Sequence, residues 1–235
     1  MFEEETILLI KKRLDLHFDP PQFVDKKDAA VLILLRGDLP KLDVFLCVRS
    51  MNLRKHPGEV CFPGGMWEFG DADLQETAMR EAEEETGLRR DHYHFIGSLP
   101  SFRSRFGVLV HPSIALLRSN ANFSPTLNVD EVEKIFWQPL SDFLTKDFHQ
   151  SYVWDNVYTV HSFDFKEAHC FGFTAFICVV VAMCLFDRVP DFDLSEAITT
   201  KMMQSVGTKS VVSAIFRICG RPIEEHERLY REAKL

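Results

Sequence analysis

Place Glu81 at the centre of a helical wheel and advance about 100° per residue: Leu74, Thr77, Ala78, Glu84, Glu85 and Leu88 all fall within about 60° of it. Glu76, Met79 and Glu83 point away. The stripe starts apolar, runs into three carboxylates and ends apolar again. A helix with this face must bury Leu74 and Leu88 while acids line the same surface. Like charges at i and i+4, as at Glu81 and Glu85, repel by about a few tenths of a kcal/mol even in water. Burial adds a desolvation cost unless a cation compensates. Arg80, four residues before Glu84, can pair with and orient that acid. Glu81 and Glu85 are left for a divalent cation, and carboxylate oxygens with no His or Cys among them suit Mg²⁺ or Mn²⁺. The plainer alternative is a solvated acidic face laced with basic residues.

The rest of the 235-residue chain frames that helix. Residues 5–14 have helical spacing, interrupted by Asp19-Pro20-Pro21. Residues 29–35 (AAVLILL) form a continuous apolar run of strand length, and alternation over 42–48 predicts a hairpin partner. A polar, basic stretch ending in Phe62-Pro63-Gly64-Gly65 reads as a loop. Strong helix formers fill residues 71–86, with Gly87 as a stop and Leu88 as an apolar anchor. Further strands are predicted at 94–99, 109–117, 132–137 and 157–165, the last carrying His161. An apolar helix over 172–186 and a helical tail follow. Residues 170–186 carry no charge, but Gly172 and Thr174 dilute a run already short for a membrane span, so a core helix is expected. No repeat or low-complexity linker divides the chain, which reads as one domain over residues 1–235.

Composition limits the function classes. With 27 basic against 35 acidic residues the net charge is −8, which gives no reason to seek nucleic acid or an anionic membrane. An anionic ligand must be held by a local basic cluster or a cation. Arg49, Arg54, Lys55 and His56 supply such a cluster within eight residues. Arg suits bidentate phosphate contact and Lys a point charge. The six cysteines show no C-x-x-C pair and read as small hydrophobes in a reducing compartment. The acidic start Met1-Phe2-Glu3-Glu4-Glu5 fits neither a secretory nor a mitochondrial leader.

Gly65 followed by Arg80-Glu81-Ala82-Glu83-Glu84-Glu85-Thr86-Gly87-Leu88 resembles the Nudix box, with every fixed position of its core R-E-U-x-E-E-x-G-U met. One residue more than in the general box separates Gly65 from Arg80, and the box's first glutamate is absent, with only Asp71 or Asp73 nearby. Upstream, Arg49-Ser50, Arg54, Gly58 and Phe62-Pro63-Gly64-Gly65 stand at intervals that resemble the signature of the coenzyme A diphosphatase branch of that family. Its lead-in departs, with Phe45-Leu46-Cys47 where the branch favours Leu-Leu-Thr. Phe171-Gly172-Phe173-Thr174-Ala175 resembles the start of the branch's carboxyl-terminal helix.

The resemblance covers about residues 28–186. It implies an α/β Nudix fold: a mixed β-sheet sandwiched between α-helices. It further implies Mg²⁺ or Mn²⁺ bound by Glu81 and Glu85, with Glu84 in or next to the coordination sphere. Arg49, Arg54, Gly64 and Gly65 would then contact substrate. The general base stays open, with Glu84 ranked first and Glu131 and Glu133 as alternatives; Asp130-Glu131-Val132-Glu133 reads as the start of a strand with an acidic outer face. The implied substrate is coenzyme A and its thioesters, cleaved at the pyrophosphate. Alternatives are another nucleoside diphosphate derivative (ADP-ribose, a dinucleotide, capped RNA) and a non-catalytic coenzyme A binder. Ala233-Lys234-Leu235 resembles the Ser-Lys-Leu peroxisomal address, read by an import receptor, so a peroxisomal location is expected.

Overall fold

The computed structural model describes residues 2–14, 27–154 and 158–221. The chain opens with α1 (Phe2–Leu14), followed by strands β1 (Ala29–Asp38), β2 (Lys41–Arg49), β3 (Val60–Cys61) and β4 (Gly64–Met66). Helix α2 (Leu74–Thr86) leads to β5 (Tyr93–Ser98), β6 (Phe102–Arg103), β7 (Leu109–Leu117) and β8 (Val132–Pro139). Then come β9 (His149–Trp154), β10 (Tyr158–Asp164), β11 (His169–Phe171), α3 (Gly172–Phe186), α4 (Thr200–Val206) and α5 (Thr208–Cys219).

The larger sheet runs β3-β2-β1-β7-β5, with β4 also on β1, β6 on β7 and β8 on β2. Strands β1 and β7 are parallel and the other pairings antiparallel, so the sheet is mixed, as expected. Alternation along β1 decides which side each residue serves. Ala30, Leu32 and Leu34 pack on one face with Leu74, Ala78 and Ala82 of α2. Ile33 and Leu35 pack on the other with Ile10 of α1, Ile177 and Val181 of α3, and Val212 and Ile215 of α5. Helices therefore cover both faces. A strand buried on both sides reads as an unbroken apolar run, which is why residues 29–35 were legible.

Helix α3 keeps the bounds expected of it and is buried along nearly its whole length. It is a core helix, and no helix among the described residues is long and apolar enough to cross a membrane. Arg13, in the basic last turn of α1, donates to the Leu185 carbonyl near the end of α3. All six cysteines are free, five of them buried, in keeping with the packing role read for them.

Several expectations need correction. Helix α2 starts at Leu74 rather than residue 71, because the Asp73 side chain accepts from Glu76 N–H at 2.8 Å and caps it. Gly64 and Gly65 do not lie in a loop: β4 pairs antiparallel with β1, Gly65 opposite Ala30 and Gly64 opposite Val31. There is also a second sheet, β11-β10-β9, of which the sequence pattern predicts the central strand alone. Strand β9 is exposed almost throughout, so no hydrophobic alternation marked it. The strand expected over 157–165 is β10, with residue 157 outside the described residues. The tail beyond residue 221, with Ala233, Lys234 and Leu235, also lies outside them.

The small sheet carries a histidine pair, His161 buried and His149 half-buried. His161, a strand residue as read, donates Nε2–H to the Leu194 carbonyl at 3.1 Å, leaving Nδ1 to accept from His149 Nε2–H at 2.9 Å. The His149 ring stacks on Phe192 with centroids 3.5 Å apart. Burial, reinforced by His161, pulls the His149 pKa down to about 4. A chain unfolded at pH below about 6.5 takes up the proton that folded His149 refuses, so this group removes stability as pH falls from there to about 4. The melting temperature of the wild type should therefore drop relative to that of His149→Phe across that window. Parallel melting curves against pH would remove the histidine pair from this role.

Candidate active site

Helix α2 presents its acids toward β4. Glu85 is buried and its Oε2 accepts the Gly64 N–H at 3.0 Å. Glu81, one turn earlier, keeps its side chain 15% exposed. A Cβ on Gly65 would run into the Glu81 carboxylate, and one on Gly64 would meet the Ala30 carbonyl. Gly64 also sits at φ 154°, in the region that favours glycine. The two glycines thus let backbone approach carboxylates and the neighbouring strand at once.

Arg80 ties the helix to its own approach. Its Nε and Nη2 donate to the two carboxylate oxygens of Asp71 at 2.9 and 3.1 Å, a bidentate pair. Its Nη1 reaches Glu84 Oε2 at 3.0 Å and Glu81 Oε1 at 3.1 Å, and Nη2 also donates to the Met66 carbonyl at 3.3 Å. The Arg80 guanidinium holds the Asp71 carboxyl down at about 2. Asp71 and Asp73 both stood near the missing first glutamate of the box; Asp71 takes the arginine and Asp73 the helix cap. The Arg80–Glu84 pairing read from the sequence is present, but the expectation that Glu81 is left to a cation alone needs correction: the same guanidinium nitrogen reaches it, because the two acids lie within one turn of each other.

Electrostatics single out the inner acids. Burial pushes Glu85 up to about 8; the Gly64 N–H opposes this, Glu81 and Glu131 add to it, and Arg49 opposes it. Burial also raises Glu81, with Arg80 lowering it and Glu84 and Glu131 raising it. Glu131 therefore belongs to this acidic group and is not part of a solvated outer face. Its loop is docked on the end of α2, where Thr126 and Asn128 N–H donate to the Thr86 and Glu85 carbonyls at 3.0 Å. The Glu131 carbonyl receives the Ser50 N–H at 2.8 Å, and its side chain accepts from Asn128. Glu133 is exposed. Helix-end capping by the 126–128 loop could not be read from sequence, because it joins segments forty residues apart.

Arg49 ends β2 with its Nε buried and without a hydrogen-bond partner, acting electrostatically on Glu85 and Cys61. The structure so brings together Glu81, Glu85, Glu131, Arg49, Gly64 and Gly65. It leaves Glu84 turned onto Arg80 with its side chain 55% exposed. Arg54 stands exposed on the 50–59 loop, with no ion pair among the described residues. As the side chains stand, no three Asp, Glu, His or Cys groups among the described residues converge on one point. The donor set still fits a hard divalent cation: carboxylates only, two of them on one helix turn and desolvated, with Arg49 the cationic group that acts on Glu85 among the described residues.

Residues 25–155 match the NUDIX domain family. The chain belongs to the NUDIX family. It is 43% identical over 226 residues to the peroxisomal coenzyme A diphosphatase ndx-8 of Caenorhabditis elegans, covering 94% of this chain and 96% of that one. It is 33% identical to the peroxisomal coenzyme A diphosphatase NUDT7 of Mus musculus, over 74% of this chain and 78% of the relative. Nudix hydrolase 15 of Arabidopsis thaliana, a mitochondrial protein by name, is 38% identical over 74% of this chain and 64% of its own length. The protein is thus a NUDIX hydrolase, in a family that generally uses divalent metal ions.

Removing Asp71 would leave Arg80 with one partner fewer on each of two nitrogens. Asp71→Ala is expected to lower the unfolding free energy by about 1–3 kcal/mol, the scale of a charged hydrogen-bond pair. Denaturant melts of the two proteins measure this, and an unchanged midpoint would contradict the anchoring role.

Proposed function

We propose that this NUDIX hydrolase cleaves the pyrophosphate of coenzyme A and its thioesters, giving 3′,5′-ADP and 4′-phosphopantetheine or its acyl derivative. The observation that carries this is the 43% identity to the worm coenzyme A diphosphatase across nearly the whole of both chains. The geometry is consistent with it: a desolvated carboxylate pair, an unpartnered buried Arg49 Nε and two glycines face one another where a diphosphate would sit.

Glu81 and Glu85 hold the cation in this reading, with Glu84 available once it leaves Arg80. Mg²⁺ or Mn²⁺ is the expected ion. A bound divalent ion supplies charge neutralisation for the pyrophosphate oxygens and makes an attacking water more acidic. Arg49 orients the diphosphate from the opposite side, and its bidentate donors suit a phosphate oxygen pair. Gly64 and Gly65 keep the backbone low enough for that approach, and Arg54 meets the substrate from the loop. Glu131, facing Glu81 and Glu85 from outside the helix, joins Glu84 as a candidate to take the water's proton. The Arg80–Asp71 pair holds the helix face in register.

Glu81→Gln and Glu85→Gln are each expected to reduce phosphopantetheine release from coenzyme A by at least about a hundredfold, in line with loss of a metal-assisted step. Their melting temperatures should stay near or above that of the wild type, since each removes an acid whose charged form burial and its neighbours disfavour. Full turnover in either variant, or full turnover in excess chelator, would overturn the assignment.

A peroxisomal site of action is proposed as well, resting on the names of the worm and mouse relatives. Recognition by an import receptor through Ala233, Lys234 and Leu235 is the matching partner. A fluorescent fusion carrying the free carboxyl end should enter peroxisomes, and deletion of residues 233–235 should leave it outside. Import that survives the deletion would remove the tripeptide's role.

A further inference from the structure

Three separate segments meet at the surface on the loop that leaves Arg49. The 50–59 loop leaves β2 at Arg49, and its base is closed by Arg49 N–H to Glu59 O and Gly58 N–H to Arg49 O, both 3.0 Å. It carries Arg54, Lys55 and His56. His56 adopts φ 56°, a left-handed conformation that non-glycine residues avoid unless surroundings enforce it. Glu59 holds its Nδ1 at 2.9 Å, and its ring meets Phe106 in a T-shaped contact at 5.8 Å. Phe106 stands at the tip of the 104–107 turn between β6 and β7 and is 65% exposed. The Arg105 guanidinium lies over two rings, 4.6 Å from the centroid of Phe106 and 5.4 Å from that of Trp154 at the end of β9. Trp154 itself is 44% exposed.

This patch runs against the character of the chain. The protein is acidic overall, yet Arg54 and Lys55 precede His56 on its loop and Arg105 precedes Phe106 on its turn, none of the three in an ion pair among the described residues, while Glu59 is engaged by His56. Exposed aromatic rings beside unpaired cations mark a ligand surface rather than a folding requirement. We propose that Arg105, Phe106, His56 and Trp154 form the subsite for the adenosine 3′,5′-bisphosphate end of coenzyme A, a reading that rests on the function proposed above. Aromatic faces stack purines, and Arg binds phosphate. The diphosphate belongs with Arg49 and the carboxylates, and the pantetheine arm is uncharged, so the remaining dense anion is the 3′-phosphate. Arg105 is the residue assigned to it, with Arg54 and Lys55 at the rim and Phe106 under the base.

The test compares coenzyme A with its 3′-dephospho form. Arg105→Ala is expected to raise KM for coenzyme A about tenfold, to leave KM for the dephospho form within about twofold, and to keep kcat. A contact made equally in ground and transition state behaves this way. Phe106→Ala should raise KM for both substrates. An equal rise for both substrates in Arg105→Ala, or no rise in either, overturns the subsite. Binding of adenosine 3′,5′-bisphosphate by calorimetry reads the same contact without turnover: about tenfold weaker binding in Arg105→Ala supports it and unchanged binding overturns it. Were the wild type to cleave no coenzyme A, the proposed function would fall, while this binding measurement would still decide the subsite.

Discussion

Glu85 sits in the seam between α2 and β4, where its carboxylate has lost most of its water and gained one backbone N–H, that of Gly64. A single neutral donor does not offset the desolvation of a charge that also faces Glu81 and Glu131. The seam therefore disfavours the charged form of Glu85 unless a positive group enters it, and the surrounding structure is arranged around it. Gly64 and Gly65 let the strand come close, Arg49 offers a positive group from β2, and the 126–128 loop closes the helix end on which the acids stand. An ordinary core would have placed Leu or Ala at positions 81 and 85, as it does at 74, 78 and 82.

The outer half of the same helix solves the opposite problem. Glu84 is largely in solvent, and Arg80 binds it together with Asp71 and the Met66 carbonyl. Together with the buried face of Leu74, Ala78 and Ala82, these contacts oppose rotation of α2. The turn entering α2 divides its work between two aspartates. Asp73 caps the backbone and Asp71 takes the arginine.

Away from this seam, segments distant in sequence come together on the surface. Strand β2 delivers Arg49 and then a loop with a clamped base that carries Arg54, Lys55 and a left-handed His56. The β6–β7 turn and the end of β9 add Phe106 and Trp154. These segments are distant in sequence and no single periodicity marks them. Their aromatic and cationic side chains look ordinary until the folded chain shows that they are neighbours.

Local patterns in the chain were enough to define the acid-bearing helix, its stop at Gly87, the buried strand over 29–35 and the apolar helix over 172–186, because each depends on spacing within a few residues. The same locality made Glu81, Glu84, Glu85 and Arg80 legible as a group. Only the tertiary structure decided that Gly64 and Gly65 form a strand on β1, that Glu131 faces the acids, that Asp71 rather than Asp73 holds Arg80, and that β9 exists at all. Those facts rest on hydrogen bonds and charges between segments whose closeness is created by folding, and a linear pattern carries no record of which distant partner a backbone or a carboxylate will meet.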